Sequence, residues 1–395
     1  MNICIFSRGH ISQLRGGVDR VTTTISTALE NRGHNIYMIS VCSPVENDKL
    51  AINQVVLPCK EIVSEANNSF VAEFLKKNKI DIILNQSDVK AIFDLIVATH
   101  HTIPIVSYNH GDPKGTIRGV RDNWDEWKIK KGKKFWLLYP YWLLRIIYQY
   151  YTRKNYTKRK FIEYYEKSDA LVFLSEKFKE SFIQITGIKD CNKLHFISNP
   201  NSYQDINNND NIVKKNIILF VGRLDFQKRV DRLLNIWKRI YKHNPKWKLL
   251  ILGDGTERGF YENYSQKLKL KNIEFLGACD PKAYYQKAKI ICLTSSHEGF
   301  GMTITEAMQY NVIPIVFHSY ESVTDIIEDN VNGILVKPFS TKEFAKKLSK
   351  LIDTPKELEK FQQNIANCDI KEKFNVERIT NQLENLFQKL SHASN

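Results

Sequence analysis

The sequence predicts an α/β protein made of two Rossmann-like domains, each built on a parallel sheet. Three observations predict it. Short β-rich runs alternate with helical stretches along all 395 residues, the runs fall into two groups of six, and a polar, asparagine-rich tract separates the groups. A chain of this length can bury two separate cores.

The first group comprises Asn2–Arg8, Asn35–Val41, Asp81–Asn85, Pro104–His110, Ala170–Ser175 and Lys193–Ser198. The second comprises Asn216–Arg223, Lys248–Gly253, Ile273–Gly277, Ile290–Thr294, Val312–Phe317 and Gly333–Val336. Runs of four to eight residues, separated by stretches long enough for a crossover helix, suit parallel rather than hairpin pairing. Asn199-Pro200-Asn201 and the tract Ser202 to Asn211 lack apolar anchors and read as the linker. The expected domains are therefore 1–199 and 200–374, followed by a terminal helix within 375–395.

Hydrophobic content of 43% with 26% charged residues fits a folded globular chain and excludes a disordered one. The seven cysteines (Cys4, Cys42, Cys59, Cys191, Cys279, Cys292, Cys368) are scattered and form no Cys-x-x-Cys pair. That pattern implies neither a disulfide framework nor a zinc site, and points to a reducing compartment. Cys4 and Cys292 fall in apolar runs and should be buried. The apolar run before Arg8 is only Ile3 to Phe6, a first strand rather than a signal peptide.

The net charge of +15 is concentrated. Between Trp127 and Lys160 lie eleven Lys and Arg residues and no acid. Four of the six tryptophans fall between Trp124 and Trp142, and Phe135 to Tyr151 is strongly aromatic. Seventeen residues interrupted by Pro140 and Arg145 are too short and too polar to span a bilayer. Aromatics flanked by bases suit the headgroup level of an anionic membrane surface. Nucleic acid would also answer such charge, but nothing else in the chain supports it.

The chemistry-bearing motifs follow the runs. After Ile290–Thr294 comes Glu298-Gly299-Phe300-Gly301-Met302-Thr303, with Glu306 on the helical stretch Met302 to Gln309. A strand, a glycine turn and a helix N-terminus make an anion cradle, and the glycines admit a ligand close to the backbone. After Asn216–Arg223 comes Gly222-Arg223-Leu224-Asp225-Phe226-Gln227-Lys228. A guanidinium and an ammonium there can hold phosphate oxygens, and can stabilise charge gathering on a departing diphosphate. Gly16-Gly17, ahead of Arg20, follows the first run and opens a helix that ends near Arg32-Gly33-His34. His110 ends the run Pro104–His110, with Asp112 just beyond it. Gly253-Asp254-Gly255 is a weaker glycine loop without a third glycine at the dinucleotide spacing. His297 reads as structural.

Glu298 and Glu306 with the intervening Gly-Phe-Gly turn resemble the Glu-x7-Glu motif of retaining glycosyltransferases with the GT-B fold, family 4 in particular. The resemblance implies a fold of two Rossmann-like domains whose parallel sheets face each other across a cleft. It also implies that the terminal helix crosses back to the N-terminal domain. Within it, Glu298 contacts the transferred sugar and Glu306 the ribose. Gly222, Arg223 and Lys228 hold the donor diphosphate with Gly299, Phe300, Gly301, Met302 and Thr303. Gly16 and Gly17 approach the donor phosphate, Arg20 and Asp112 face the acceptor, and His110 lies by the sugar. The implied activity is hexose transfer from a nucleoside-diphosphate sugar, a UDP-sugar foremost, to a lipid-linked oligosaccharide or lipopolysaccharide. The basic aromatic segment 124–160, placed in the N-terminal domain, would dock the enzyme on the inner face of a bacterial plasma membrane. No Asp-x-Asp motif occurs, so no metal and no cofactor is expected. The alternatives are a UDP-sugar epimerase of the same fold and an inactive docking subunit.

Overall fold

A computed structural model describes residues 1–9, 16–41, 53–99, 102–203 and 213–393. Among them, thirteen strands form two parallel sheets. The first contains β1 (Asn2–Ser7), β2 (Asn35–Ser40), β3 (Gln54–Val56), β4 (Ile82–Asn85), β5 (Ile105–Asn109), β6 (Ala170–Phe173) and β7 (Leu194–Phe196). The second contains β8 (Ile217–Val221), β9 (Lys248–Leu252), β10 (Ile273–Gly277), β11 (Ile290–Leu293), β12 (Ile313–Phe317) and β13 (Ile334–Val336). All twelve expected runs are strands. The addition, β3, is a three-residue edge strand beside β2.

The sheet orders are β3-β2-β1-β4-β5-β6-β7 and β10-β9-β8-β11-β12-β13. Each chain half starts in the middle of its sheet, winds one way, then returns to wind the other. The reversals fall between β1 and β4 and between β8 and β11. Ligands of doubly wound sheets bind beyond the carboxyl ends of the strands at that reversal. Central strands are covered on both faces, which explains their unbroken apolar sequence. Ile3, Cys4 and Ile5 of β1, and Ile290, Ile291 and Cys292 of β11, have no exposed surface. Burial pushes both thiols far above their ordinary pKa, so they act as small apolar groups. Truncating Ile290 to Ala would cost about 2–5 kcal/mol.

The chain divides into two compact units: Met1–Pro113 with Lys154–Ser202 and Phe374–Asn395, and Lys114–Arg153 with Tyr203–Lys373. The terminal helix Val376–Ala393 belongs to the first unit, where Arg32 bonds Glu377 and Glu384 and His34 Nε2 lies 2.8 Å from Glu384 Oε1. The basic aromatic segment differs from its expected place. Up to Arg153 it groups with the second unit, and only the rest of helix Tyr139–Lys167 groups with the first.

That segment sorts its rings by face. Trp124 and Phe135 meet edge to face at 5.0 Å, Trp127 and Trp142 at 4.9 Å, and the Arg145 guanidinium lies 5.1 Å over Trp127. Tyr141, Leu144, Tyr148 and Tyr151 instead form an exposed stripe at three- and four-residue spacing, with Leu144 and Tyr148 each 70% exposed. No helix among the described residues is long and apolar enough to cross a membrane.

Candidate active site

In the second unit, the loops after β8 and β9 and the end of β10 are laced together by backbone. Leu224 N donates to Asp254 O (2.8 Å), Glu257 N to Leu224 O (2.8 Å), and Gly253 N to Gly277 O (2.7 Å). Gly253, at φ 133°, brings its backbone so close that a Cβ there would sit 1.9 Å from Gly222 O. A Cβ on Gly255 would sit 2.6 Å from Leu224 O. The Gly253-Asp254-Gly255 element is thus explained first by loop-against-loop packing.

The loop after β8 is tied to the loop after β11 in the same way. Ser296 N donates to Gln227 O (2.9 Å), Gln227 Nε2 to His297 O (2.8 Å), and Thr294 Oγ1 to Arg229 O (3.0 Å). Asp225 caps the single 3-10 turn Phe226–Lys228 by accepting from Lys228 N at 3.2 Å. These ties bring Lys228 Nζ to 2.6 Å from Glu298 Oε1, although the residues are 70 apart in sequence. Glu298 is buried. Burial alone would raise its carboxyl pKa, but the charge and hydrogen bond of Lys228 outweigh that and hold it below the ordinary carboxylate range. Glu298 is therefore ionised at neutral pH.

Gly301 caps the helix Met302–Gln309 at φ 95°, and among the described residues no side chain caps that N-terminus. A Cβ there would lie 2.8 Å from the Tyr320 hydroxyl, so only glycine fits the turn. Ser322 Oγ steadies the loop by donating to Gly299 O at 2.9 Å. Uncapped first-turn amides beside Lys228 suit a bound anion.

Glu306, on the same helix, has no exposed surface and accepts from the Tyr285 hydroxyl at 3.1 Å. Tyr285 stacks on Tyr310 with ring centroids 6.0 Å apart, and Tyr203 packs on both. Burial, with the charges of Asp280 and Glu306, pushes the Tyr310 phenol up to about 12. Arg223 is not drawn into this arrangement. Its side chain is 73% exposed and leans on Asp225 at 3.3 Å.

A second cluster went unanticipated. Arg229, at φ 50°, buries its guanidinium between Asp231 (3.0 Å) and Asp125 (2.6 Å). Asp122 accepts from Ser296 Oγ at 2.5 Å and lies 3.4 Å from His297 Nδ1, so His297 is held in place structurally. Asp122 and Asp125 stand more than a hundred residues before Arg229, and no local pattern signals such a pairing.

The first unit holds the remaining expected residues. Gly16 caps the helix Gly17–Asn31, and among the described residues a Cβ on it would meet open space. Arg15 lies outside the described residues, while Arg20 N donates to Gly16 O at 3.0 Å. His110 follows β5, stacks on Tyr108 at 4.8 Å and bonds the Gln86 side chain. Burial drops its pKa to about 4, partly opposed by Asp88, so the ring is neutral at pH 7. Asp112 is buried close by in sequence.

Two sequence-family models meet end to end on this chain: "Glycosyltransferase Family 4" matches residues 15–201 and "Glycosyl transferases group 1" matches residues 201–367. The chain belongs to glycosyltransferase family 4. Its two doubly wound parallel sheets are those of the GT-B fold. Among curated relatives of this family 4 chain, the amylovoran biosynthesis glycosyltransferase AmsD of Erwinia amylovora is 30% identical over 52% of this chain and 57% of that protein. An α-1,4-N-acetyl-D-galactosaminyltransferase of Campylobacter jejuni, whose name carries a PP-undecaprenol-linked glycan, is 32% identical over 44% of this chain and 48% of that protein. These matches span about half the length of either relative. Among solved structures, Anabaena HepE in complex with UDP-glucose superposes with a TM-score of 0.73 at 15% identity, over 98% of this chain and 100% of that one. That likeness concerns fold.

Proposed function

We propose that this family 4 protein is a retaining hexosyltransferase that uses a nucleoside-diphosphate sugar, a UDP-hexose, in bacterial cell-surface glycan synthesis. The observation that carries the reading is the Lys228–Glu298 contact of 2.6 Å, set at the β8/β11 reversal beside the uncapped helix N-terminus at Gly301. A cation, free amides and a carboxylate at one point suit the junction of a diphosphate and a hydroxylated sugar. In this reading Lys228, the amides after Gly301, and Arg223 swung in from solvent hold the diphosphate. Glu298 orients the sugar, and Glu306, steadied by Tyr285, anchors the ribose. The departing diphosphate takes the acceptor hydroxyl's proton on the face it leaves, so no enzyme nucleophile is required. The family resemblance assigns Gly16 and Gly17 to the donor phosphate, the neutral His110 to the sugar, and Arg20 and Asp112 to the acceptor.

Side-chain cations take the place of a metal in this mechanism, so turnover should survive chelation with EDTA. The acceptor is a lipid-linked oligosaccharide or lipopolysaccharide, a reading supported by the lipid-linked glycan in the Campylobacter relative's name. The exposed stripe of Tyr141, Leu144, Tyr148 and Tyr151, among basic neighbours, supports peripheral docking on the cytoplasmic face of an anionic membrane. Relatives named as transferases give the epimerase and docking-subunit readings no support. Calorimetric titration with UDP and GDP, followed by donor hydrolysis across a panel of UDP- and GDP-sugars, tests the proposal. Absence of affinity for either nucleotide would sink it.

A further inference from the structure

A cavity of about 340 Å³ opens in the second unit between helix Gly115–Lys131 and the loops after β11, β12 and β13. Its size falls at the small end of ligand clefts, which run to about 300–1,000 Å³. Three arginines line it: Arg118, Arg121 and Arg232. Arg118 donates to Ser319 O (3.1 Å) and Glu321 Oε1 (2.6 Å). The guanidiniums of Arg121 and Arg232 lie 4.8 and 3.9 Å from the ring centre of Phe339. Phe339 holds its position at φ 70°, a conformation that costs a bulky residue about 1–3 kcal/mol and recurs where a ligand must be gripped.

Arg232 is more than nine-tenths buried and gives Nη2 to Asp125 at 3.1 Å, yet its Nη1 has no partner among the described residues. Burial and repulsion from Arg229 pull this guanidinium down to about 10, a strain that a neighbouring anion would relieve. Two further lining atoms are buried and unpartnered among the described residues, Glu321 Oε2 and the Tyr320 hydroxyl. The cavity therefore asks for an acceptor at its arginines and for a donor at its carboxylate. A simple anion satisfies the first demand, while a hydroxylated ring bearing an anionic group satisfies both.

We propose that this cavity binds an anionic sugar, its carboxylate or phosphate on Arg232 and Arg121 and a hydroxyl on Glu321. That this sugar belongs to the acceptor rests on the glycosyl-transfer reading, whereas its binding does not. The Tyr320 hydroxyl, against Gly301, joins the cavity to the donor loop.

The test titrates the full chain, saturated with UDP, with D-glucuronate, glucose 6-phosphate and glucose. At least one acidic sugar should bind ten-fold or more tighter than glucose, and the stronger arm tells carboxylate from phosphate. Arg121→Gln and Arg232→Gln should each weaken that ligand by about 10–100-fold while leaving UDP affinity unchanged. Arg121 is exposed on its helix, so its variant decides the matter should Arg232→Gln fail to fold. Glucose binding as tightly as the acids, no binding of either acid, or folded variants that bind like the wild type would each overturn the proposal. Loss of UDP binding with retained acidic-sugar binding would count against the donor site alone.

Discussion

Glu298→Gln should tighten the binding of UDP while crippling transfer. Lys228 is already engaged, 2.6 Å from an ionised and buried carboxylate. A diphosphate that recruits Lys228 must compete with that carboxylate. A hydrogen bond between charged groups contributes about 1.5–3 kcal/mol, and its neutral replacement from lysine to glutamine about 0.5–1.5 kcal/mol. The difference, roughly 1–1.5 kcal/mol, converts to about a ten-fold gain in UDP affinity. Repulsion between Glu298 and the incoming diphosphate also disappears, which adds in the same direction. Turnover should nevertheless fall by about 10²–10³, since the charge proposed to orient the sugar is gone. Calorimetry with UDP and steady-state transfer rates read the two effects separately. If the variant folds normally and binds UDP no better than the wild type, Lys228 is not the group that the diphosphate recruits.

Gly253→Ala would push a Cβ to 1.9 Å from Gly222 O at φ 133°, and should lower stability by at least about 2 kcal/mol in urea unfolding. An unshifted midpoint would show that the two loops do not meet as described. The pKa of His110 is about 4 when folded, against about 6.5 unfolded. Between those values the unfolded chain binds more protons, so stability is present above pH 6.5 and is lost as pH falls toward 4. The slope peaks at about 1.2 kcal/mol per pH unit near the middle of that window, and His110→Gln should flatten it in thermal melts. Replacing Leu144 and Tyr148 by Glu should reduce cosedimentation with phosphatidylglycerol vesicles ten-fold or more, because each burial contributes about 1.5–3 kcal/mol. Equal sedimentation of wild type and variant would assign that stripe to another partner.

The sheets were legible because buried parallel strands advertise themselves as unbroken apolar runs, as in Ile290 to Leu293. The helix Met302–Gln309 was legible because Gly301 announces its start. β3 was not, since three residues carry too little pattern to separate an edge strand from a loop. At the site, sequence gave the identities of Lys228 and Glu298 but not their contact, which depends on the β8–β11 pairing. Sequence likewise supplies the Arg223 guanidinium but not its posture, exposed and leaning on Asp225. The Arg229 cluster stays hidden because Asp122 and Asp125 arrive from a distant helix. Within the aromatic segment, composition could not tell Trp142, packed on Trp127, from the outward Leu144.

The contact of Gly222 with Gly253 joins two loops through main chain alone, since a Cβ on Gly253 would stand 1.9 Å from Gly222 O. No exchange of neighbouring side chains can reshape such a junction, because no side chain takes part in it. Variation tolerated in this half of the chain must therefore go around the two glycines, and any library built on this scaffold would hold both constant.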